Sequence, residues 1–269
     1  MLLLLIACKA TPADPEFNDA AVEALRQFNA EDPVVLAFAA RELEAVLRQV
    51  DLDASLIDRS SEPDRLTEAD VEGFSERPDR DPSAAIAVGV THGSAWTVDD
   101  HVIVQLLADQ TPIEPASPEL YERILLEGED CWVDRGCEFL RTENPLVKDN
   151  AVMTLDYTLW KDFRWVDMNL PPPSEVPDGE TAQNDGEPRW AIVSTSWIKE
   201  ETVAEDGTSI LQSYTLELWI PSDDGTLRTM ALWSETDTSF SDDIVASTTR
   251  SGIQGIFDAA DEWLVENNP

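Results

Sequence analysis

Histidine, cysteine and positive charge are all scarce in this sequence. The chain has two histidines and three cysteines, and 18 lysines and arginines face 55 aspartates and glutamates, for a formal net charge of -37. A chain this negative repels phosphate backbones, which argues against nucleic acid as a partner. It repels an anionic bilayer surface as well, so membrane attachment has to come from something other than charge. The acidity reads as solubility, or as adaptation to saline surroundings where counterions screen the self-repulsion. Because the carboxylates are spread along the whole chain rather than set at ligand spacing, no metal ligand is assigned. The shortage of histidine bears on catalysis. His92 precedes Gly93-Ser94 and His101 follows Asp99-Asp100, so a His-assisted Ser94 or a His/Asp metal site can be drawn. Neither has a motif behind it, and the Gly-x-Ser-x-Gly elbow is absent. Walker loops, dinucleotide-binding glycine patterns and EF-hand loops are absent too, and the carboxylates are too many to narrow a glycosidase pair to two residues. No catalytic residue and no cofactor is assigned.

Tryptophan is missing from the first third: all nine lie at or after Trp96. The change from an aromatic-poor to an aromatic-rich composition suggests a boundary.

What is present at the N-terminus is an apolar run, Met1-Leu2-Leu3-Leu4-Leu5-Ile6-Ala7-Cys8, followed by polar Lys9-Ala10-Thr11-Pro12. Leu5-Ile6-Ala7-Cys8 resembles the lipobox of bacterial lipoprotein signal peptides. The resemblance implies a diacylglyceryl group on the Cys8 sulfur, cleavage before Cys8 and anchorage to a membrane through that lipid. It places the protein in the cell envelope, and Lys9 in place of aspartate points to the outer membrane. Two features depart from the pattern: no basic residue precedes Cys8, and the apolar core is too short to span a bilayer. Residues 1–8 therefore read as a signal segment shortened at its start. The remaining cysteines, in Asp130-Cys131-Trp132-Val133-Asp134-Arg135-Gly136-Cys137, are expected to oxidise to a disulfide in an exported chain. Their spacing is not Cys-x-x-Cys and their neighbours are acidic, which disfavours a redox or zinc role.

Apolar periodicity supplies the rest of the organisation. Residues 9–50 read as a tether and a helical hairpin, with one helix over about 16–29 and a second from Asp32-Pro33 to Gln49. Residues 51–83, rich in acid and proline, read as a poorly ordered linker with a helical turn near Thr67 to Val71. Residues 84–269 read as an α+β domain. Its order is a strand at 84–90, helices at 98–108 and 117–128, and an antiparallel run of about six strands. Asp206-Gly207 and Asp224-Gly225 make two of the turns in that run. A long helix from about Ser241 to Asn267 ends the chain, with an apolar stripe of Thr249, Ile253, Ile256, Phe257, Ala260 and Leu264.

That order, and the stretch Ile253 to Leu264, resemble the helix-grip fold of the START-like superfamily, in which a curved antiparallel sheet wraps the final helix. The resemblance covers about two thirds of the chain and rests on no diagnostic motif. It implies an apolar cavity between sheet and helix that binds a small hydrophobic ligand. Inward strand faces would line it through Met153, Leu155, Tyr157 and Trp197, then through Tyr214, Leu216, Leu218, Met230 and Leu232. The helix would add Ile253 and Phe257. The expectation is a non-enzymatic, membrane-tethered lipoprotein with such a cavity. Two alternatives stand beside it: an envelope scaffold or protein-interaction module with a filled core and an unnamed partner, and a hydrolase with an unrecognised site.

Overall fold

The first two helices form where caps and stripes agree. In α1 (Phe17–Gln27), Ala20, Ala21, Ala24 and Leu25 are buried along one stripe. Asp32 caps α2 (Pro33–Leu47) by accepting from the Val34 amide, and Pro33 occupies the first turn, where its missing N–H costs nothing. The two helices pack on each other as a hairpin. The computed structural model describes residues 17–150, 154–176, 182, 186–205 and 207–268. Cys8 and its lipobox, Met153 and Asp206 lie outside the described residues.

Nine strands then make one antiparallel sheet: β1 (Ser60–Ser61), β2 (Ile86–Ser94), β3 (Ile124–Glu127), β4 (Leu140–Asp149), β5 (Thr154–Asp167), β6 (Trp190–Trp197), β7 (Thr202–Val203), β8 (Ser209–Ser222) and β9 (Gly225–Asp237). Their spatial order is β1-β2-β9-β8-β6-β5-β4-β3, with β7 paired to β8 off this path. The β8–β9 hairpin closes with Ser222 opposite Gly225. Gly225 has φ +132, and a Cβ there would lie 2.2 Å from the Ser94 carbonyl oxygen, so the turn needs glycine on two counts. Between β2 and β3 runs α3 (Val98–Gln105), opened by a capping box in which Thr97 and Asp100 satisfy each other's amides. The last element is α4 (Asp242–Asn267), with Ser241 at its N-cap.

The architecture is the expected helix-grip: α4 lies along one face of the sheet, buried through Ile253 and Phe257 against Val88, Val90 and Met230. A third layer is added. The α1–α2 hairpin covers the opposite face, and Leu25, Leu36, Leu43 and Leu47 share one core with Val193, Leu216, Leu218 and Trp233.

Two sequence expectations need correction. Residues 51–83 are not a loose linker. Leu66, Val71 and Phe74 are buried in the hairpin-side core, with a 3-10 turn at Glu68–Asp70. The segment is stitched to the sheet by Trp233 Nε1 donating to the Asp64 carbonyl (2.8 Å) and Trp197 Nε1 to that of Ser75 (3.0 Å). Acid and proline content hid a strap held by backbone acceptors and three apolar anchors. Residues 117–128 are likewise not a helix. Only β3 is regular there, and Glu122 N donates to the Pro145 carbonyl while Val147 N donates to that of Leu120. Tyr121 and Arg123 point inward and Glu122 and Ile124 outward. That is a period of two, disguised because one inward residue is an arginine.

Candidate ligand-binding site

Strand alternation decides what faces the space under α4. Along β8, Tyr214, Leu216, Leu218 and Ile220 join the hairpin-side core. The alternate residues Ser213, Thr215, Glu217 and Trp219 line a cavity of about 430 Å³ between the sheet and α4. Neighbouring strands contribute in the same register, with Arg228 beside Trp219 and Met230 beside Glu217. Tyr157, Leu159, Lys161 and Phe163 enter from β5, and Val245, Gly252, Ile253 and Ile256 from α4.

Buried charges gather at one end of the cavity, and the rest mixes apolar Leu159, Leu232 and Ile253 with the hydroxyls of Ser213, Ser234 and Thr248. At the polar end Lys161 Nζ and Arg228 Nη2 both donate to the Glu217 carboxylate, at 2.8 and 3.1 Å. All three side chains are buried. Burial alone would raise the Glu217 pKa, but the Lys161 and Arg228 charges outweigh it and hold the carboxyl below its ordinary value. Burial pushes Lys161 down; Glu217 opposes this, and Arg123 and Arg228 add to it. Lys161 also sits over the Phe163 and Trp219 rings, and Arg228 over those of Trp219 and Phe257. Nearby, Arg123 Nε donates to Asn144 Oδ1 at 3.0 Å and Nη1 to the Gln105 carbonyl at 2.6 Å. On a side wall Lys148 pairs with Glu114 at 2.8 Å. Burial would lower the Lys148 pKa, but Glu114 outweighs it and raises it overall. Toward the other end, Leu155, Ile198 and Ile210 pack together, and the Tyr157 phenol is pushed up to about 12 by burial.

The disulfide loop closes the polar end. Cys131 and Cys137 are bonded, with Cα atoms 5.5 Å apart. The short loop they tie together holds Trp132, fully buried against Phe163, Trp219 and α3. Its indole Nε1 donates to Gln105 Oε1 at 3.1 Å.

The sequence-expected wall is only partly the observed one. Tyr157, Met230, Leu232 and Ile253 line the cavity. Leu155 packs on the wall residue Ile210, and Phe257 packs beside Ile253 on β2. Trp197, Tyr214, Leu216 and Leu218 sit on the opposite face, in the hairpin-side core. The expectation gave the more apolar alternation to the cavity, but that alternation is covered by α1 and α2. Sequence reading missed Arg123, Lys161, Glu217 and Arg228. Their signal was a charge inside an otherwise apolar strand, as in Leu216-Glu217-Leu218.

Both histidines belong to a separate polar network outside the cavity wall. His92 Nε2 meets Asp261 Oδ2 at 3.1 Å, Ser94 Oγ donates to Asp261 Oδ1 at 2.7 Å, and His101 Nε2 lies 3.2 Å from Ser94 Oγ. The single Ser94 proton goes to the carboxylate, so His101 Nε2 must donate to Ser94 rather than accept from it. His101 therefore does not act as a base toward Ser94 in this arrangement. Burial and then the Arg228 charge lower the His101 pKa to about 3, so the ring is neutral. The network ties α4 to β2 and α3. Among the described residues no group of three or more histidine, cysteine or acidic side chains is placed to hold a metal ion.

No family model matches the chain, and no curated protein matches it. Among solved structures it is similar to a STAR-related lipid transfer protein from Xanthomonas axonopodis, with 14% identity and a TM-score of 0.42 over 67% of this chain and 86% of that one. A Thermus thermophilus protein aligns with 11% identity and a TM-score of 0.40 over 69% of this chain and 99% of that one. The human StarD13 lipid transfer and protein localization domain aligns with 12% identity and a TM-score of 0.31 over 66% and 74%.

Proposed function

We propose that this protein is a non-enzymatic carrier or receptor that holds one hydrophobic small molecule between its sheet and α4. The observation that carries the reading is the cavity of about 430 Å³, within the range of roughly 300–1,000 Å³ common to small-molecule sites. It is set in a sheet whose other face is densely filled. A filled core, as the scaffold reading requires, would leave no such space. The Ser94–Asp261–His101 geometry gives the hydrolase reading no activated nucleophile.

The same proposal includes a lipid tether at Cys8. It is supported by Leu5-Ile6-Ala7-Cys8 and by the Cys131–Cys137 disulfide, a bond that persists in oxidising compartments. No helix among the described residues is long and apolar enough to cross a membrane.

One experiment tests both parts: mass spectrometry of the full chain expressed in a bacterial host with an outer membrane, under native and then denaturing conditions. A hydrophobic mass that survives native transfer and leaves on denaturation is the expected sign of a carried ligand. A diacylglyceryl mass that stays on Cys8 after denaturation is the expected sign of the tether. An empty native protein that also takes up no lipophilic dye contradicts the carrier reading, and an unmodified Cys8 contradicts the tether.

A further inference from the structure

The charge of the cavity wall is opposite in sign to that of the molecule. Acidic residues outnumber basic ones 55 to 18 in the chain. On the wall the ratio inverts: Arg123, Lys148, Lys161 and Arg228 face only Glu114 and Glu217, four cations to two carboxylates. Lys148 and Glu114 neutralise each other. At the polar end Lys161 and Arg228 then share the one carboxylate that lines the wall there, with Arg123 close behind them and held by neutral partners; Asp261, outside the wall, also feels the Arg228 charge.

Arg228 shows the deficit at the level of atoms. Its side chain is 3% exposed. Of its three guanidinium nitrogens, Nη2 reaches Glu217, while Nε and Nη1 are buried with no hydrogen-bond partner. Buried donors without acceptors are costly. Leu159, Leu232, Ile253 and Val245 give the remainder of the space an apolar strip, with serine and threonine hydroxyls beside it.

We infer that the cavity takes an amphiphile bearing one oxyanion, a long-chain carboxylate being the simplest case, with the oxyanion at Arg228 and Lys161 and the apolar chain along Leu159, Leu232 and Ile253. The inference rests on the hydrophobic-ligand reading and narrows it. Each free N–H of Arg228 can donate to one oxyanion oxygen, and the Lys161 ammonium, on the same Glu217 carboxylate, supplies a second positive charge beside it.

The test compares palmitate with hexadecanol, equal in chain length and different in charge, as displacers of the neutral dye Nile red from the full chain at neutral pH. A charge-assisted hydrogen bond of ordinary strength predicts that palmitate displaces the dye at a concentration at least about tenfold lower than the alcohol. Arg228→Met should bring the two displacers together by weakening palmitate more than hexadecanol. Lys161→Met leaves Arg228 and Glu217 as a one-to-one pair and should do the same, so it serves if the arginine variant fails to fold. Equal displacement by acid and alcohol in the unmodified protein overturns the oxyanion inference and leaves the hydrophobic cavity standing. A dye that never binds, together with displacers that show no binding by calorimetry, overturns the cavity reading and the inference with it.

Discussion

On the hairpin side of β8, Tyr214, Leu216, Leu218 and Ile220 share one buried apolar core with α1, α2 and the strap. One residue over, on the α4 side, Ser213, Thr215, Glu217 and Trp219 border an open volume. The two sets share a backbone and differ only in which way the pleat turns them. The comparison shows a division of labour across the sheet thickness. One layer supplies the cohesion of a dry core. The other is thereby free to hold polar groups and empty space that would be costly if the protein depended on that layer for stability.

Truncation on the dry side should give the largest effect. Leu218→Ala removes a fully buried side chain and should cost about 2–5 kcal/mol in urea unfolding; a cost below about 1 kcal/mol would mean that the hairpin layer is not tightly packed. The α4 side should instead be sensitive to acid. His101 has its pKa lowered from 6.5 to about 3 in the fold. Below pH 6.5 the unfolded chain therefore binds a proton that the folded one refuses. Its contribution is complete above that pH and is lost as the pH falls toward 3, by at most about 1.4 kcal/mol per pH unit. The stability difference between the unmodified protein and His101→Gln should narrow across that window, since other groups cancel in the subtraction; a constant difference would show that the ring is not held neutral. Smallest in stability, but decisive for function, is Gly252→Leu. Gly252 lines the cavity, and a Cβ added there meets nothing within 4 Å. The change should stabilise α4 by about 0.8–1 kcal/mol, and the leucine should fill the cavity and abolish Nile red uptake. Unaltered uptake would place the ligand elsewhere.

Much of the fold was legible in the residues. The Asp32-Pro33 cap, the alternation at Leu155, Tyr157 and Leu159, the glycine after Asp224 and the stripe from Ile253 to Leu264 each carry a local signal. Together they define a sheet and its final helix. The strap at 51–83 was illegible because backbone carbonyls anchor it to tryptophans more than a hundred residues away, and composition says nothing of such partners. The cavity wall was half legible for a related reason. Apolar alternation tells which residues share a face, and Leu216 and Leu218 do. Choosing which cover that face receives requires knowing that the hairpin packs back on the sheet. Once the strap was read as loose, the hairpin became a separate unit and α4 the only available cover. Lys161, Glu217 and Arg228 were missed by the same logic, since a charge in a strand reads as solvent-facing until its countercharges are brought alongside.

The hairpin layer also governs how the molecule can move. With α1 and α2 fastened to the back of β8 and β5, and Arg189 joined to Glu44 across that seam, the sheet is braced from behind. The front is fastened differently: α4 is held to β2 and α3 by a short polar chain through Asp261, Ser94 and the two histidines, beside the apolar contacts of Ile253 and Phe257.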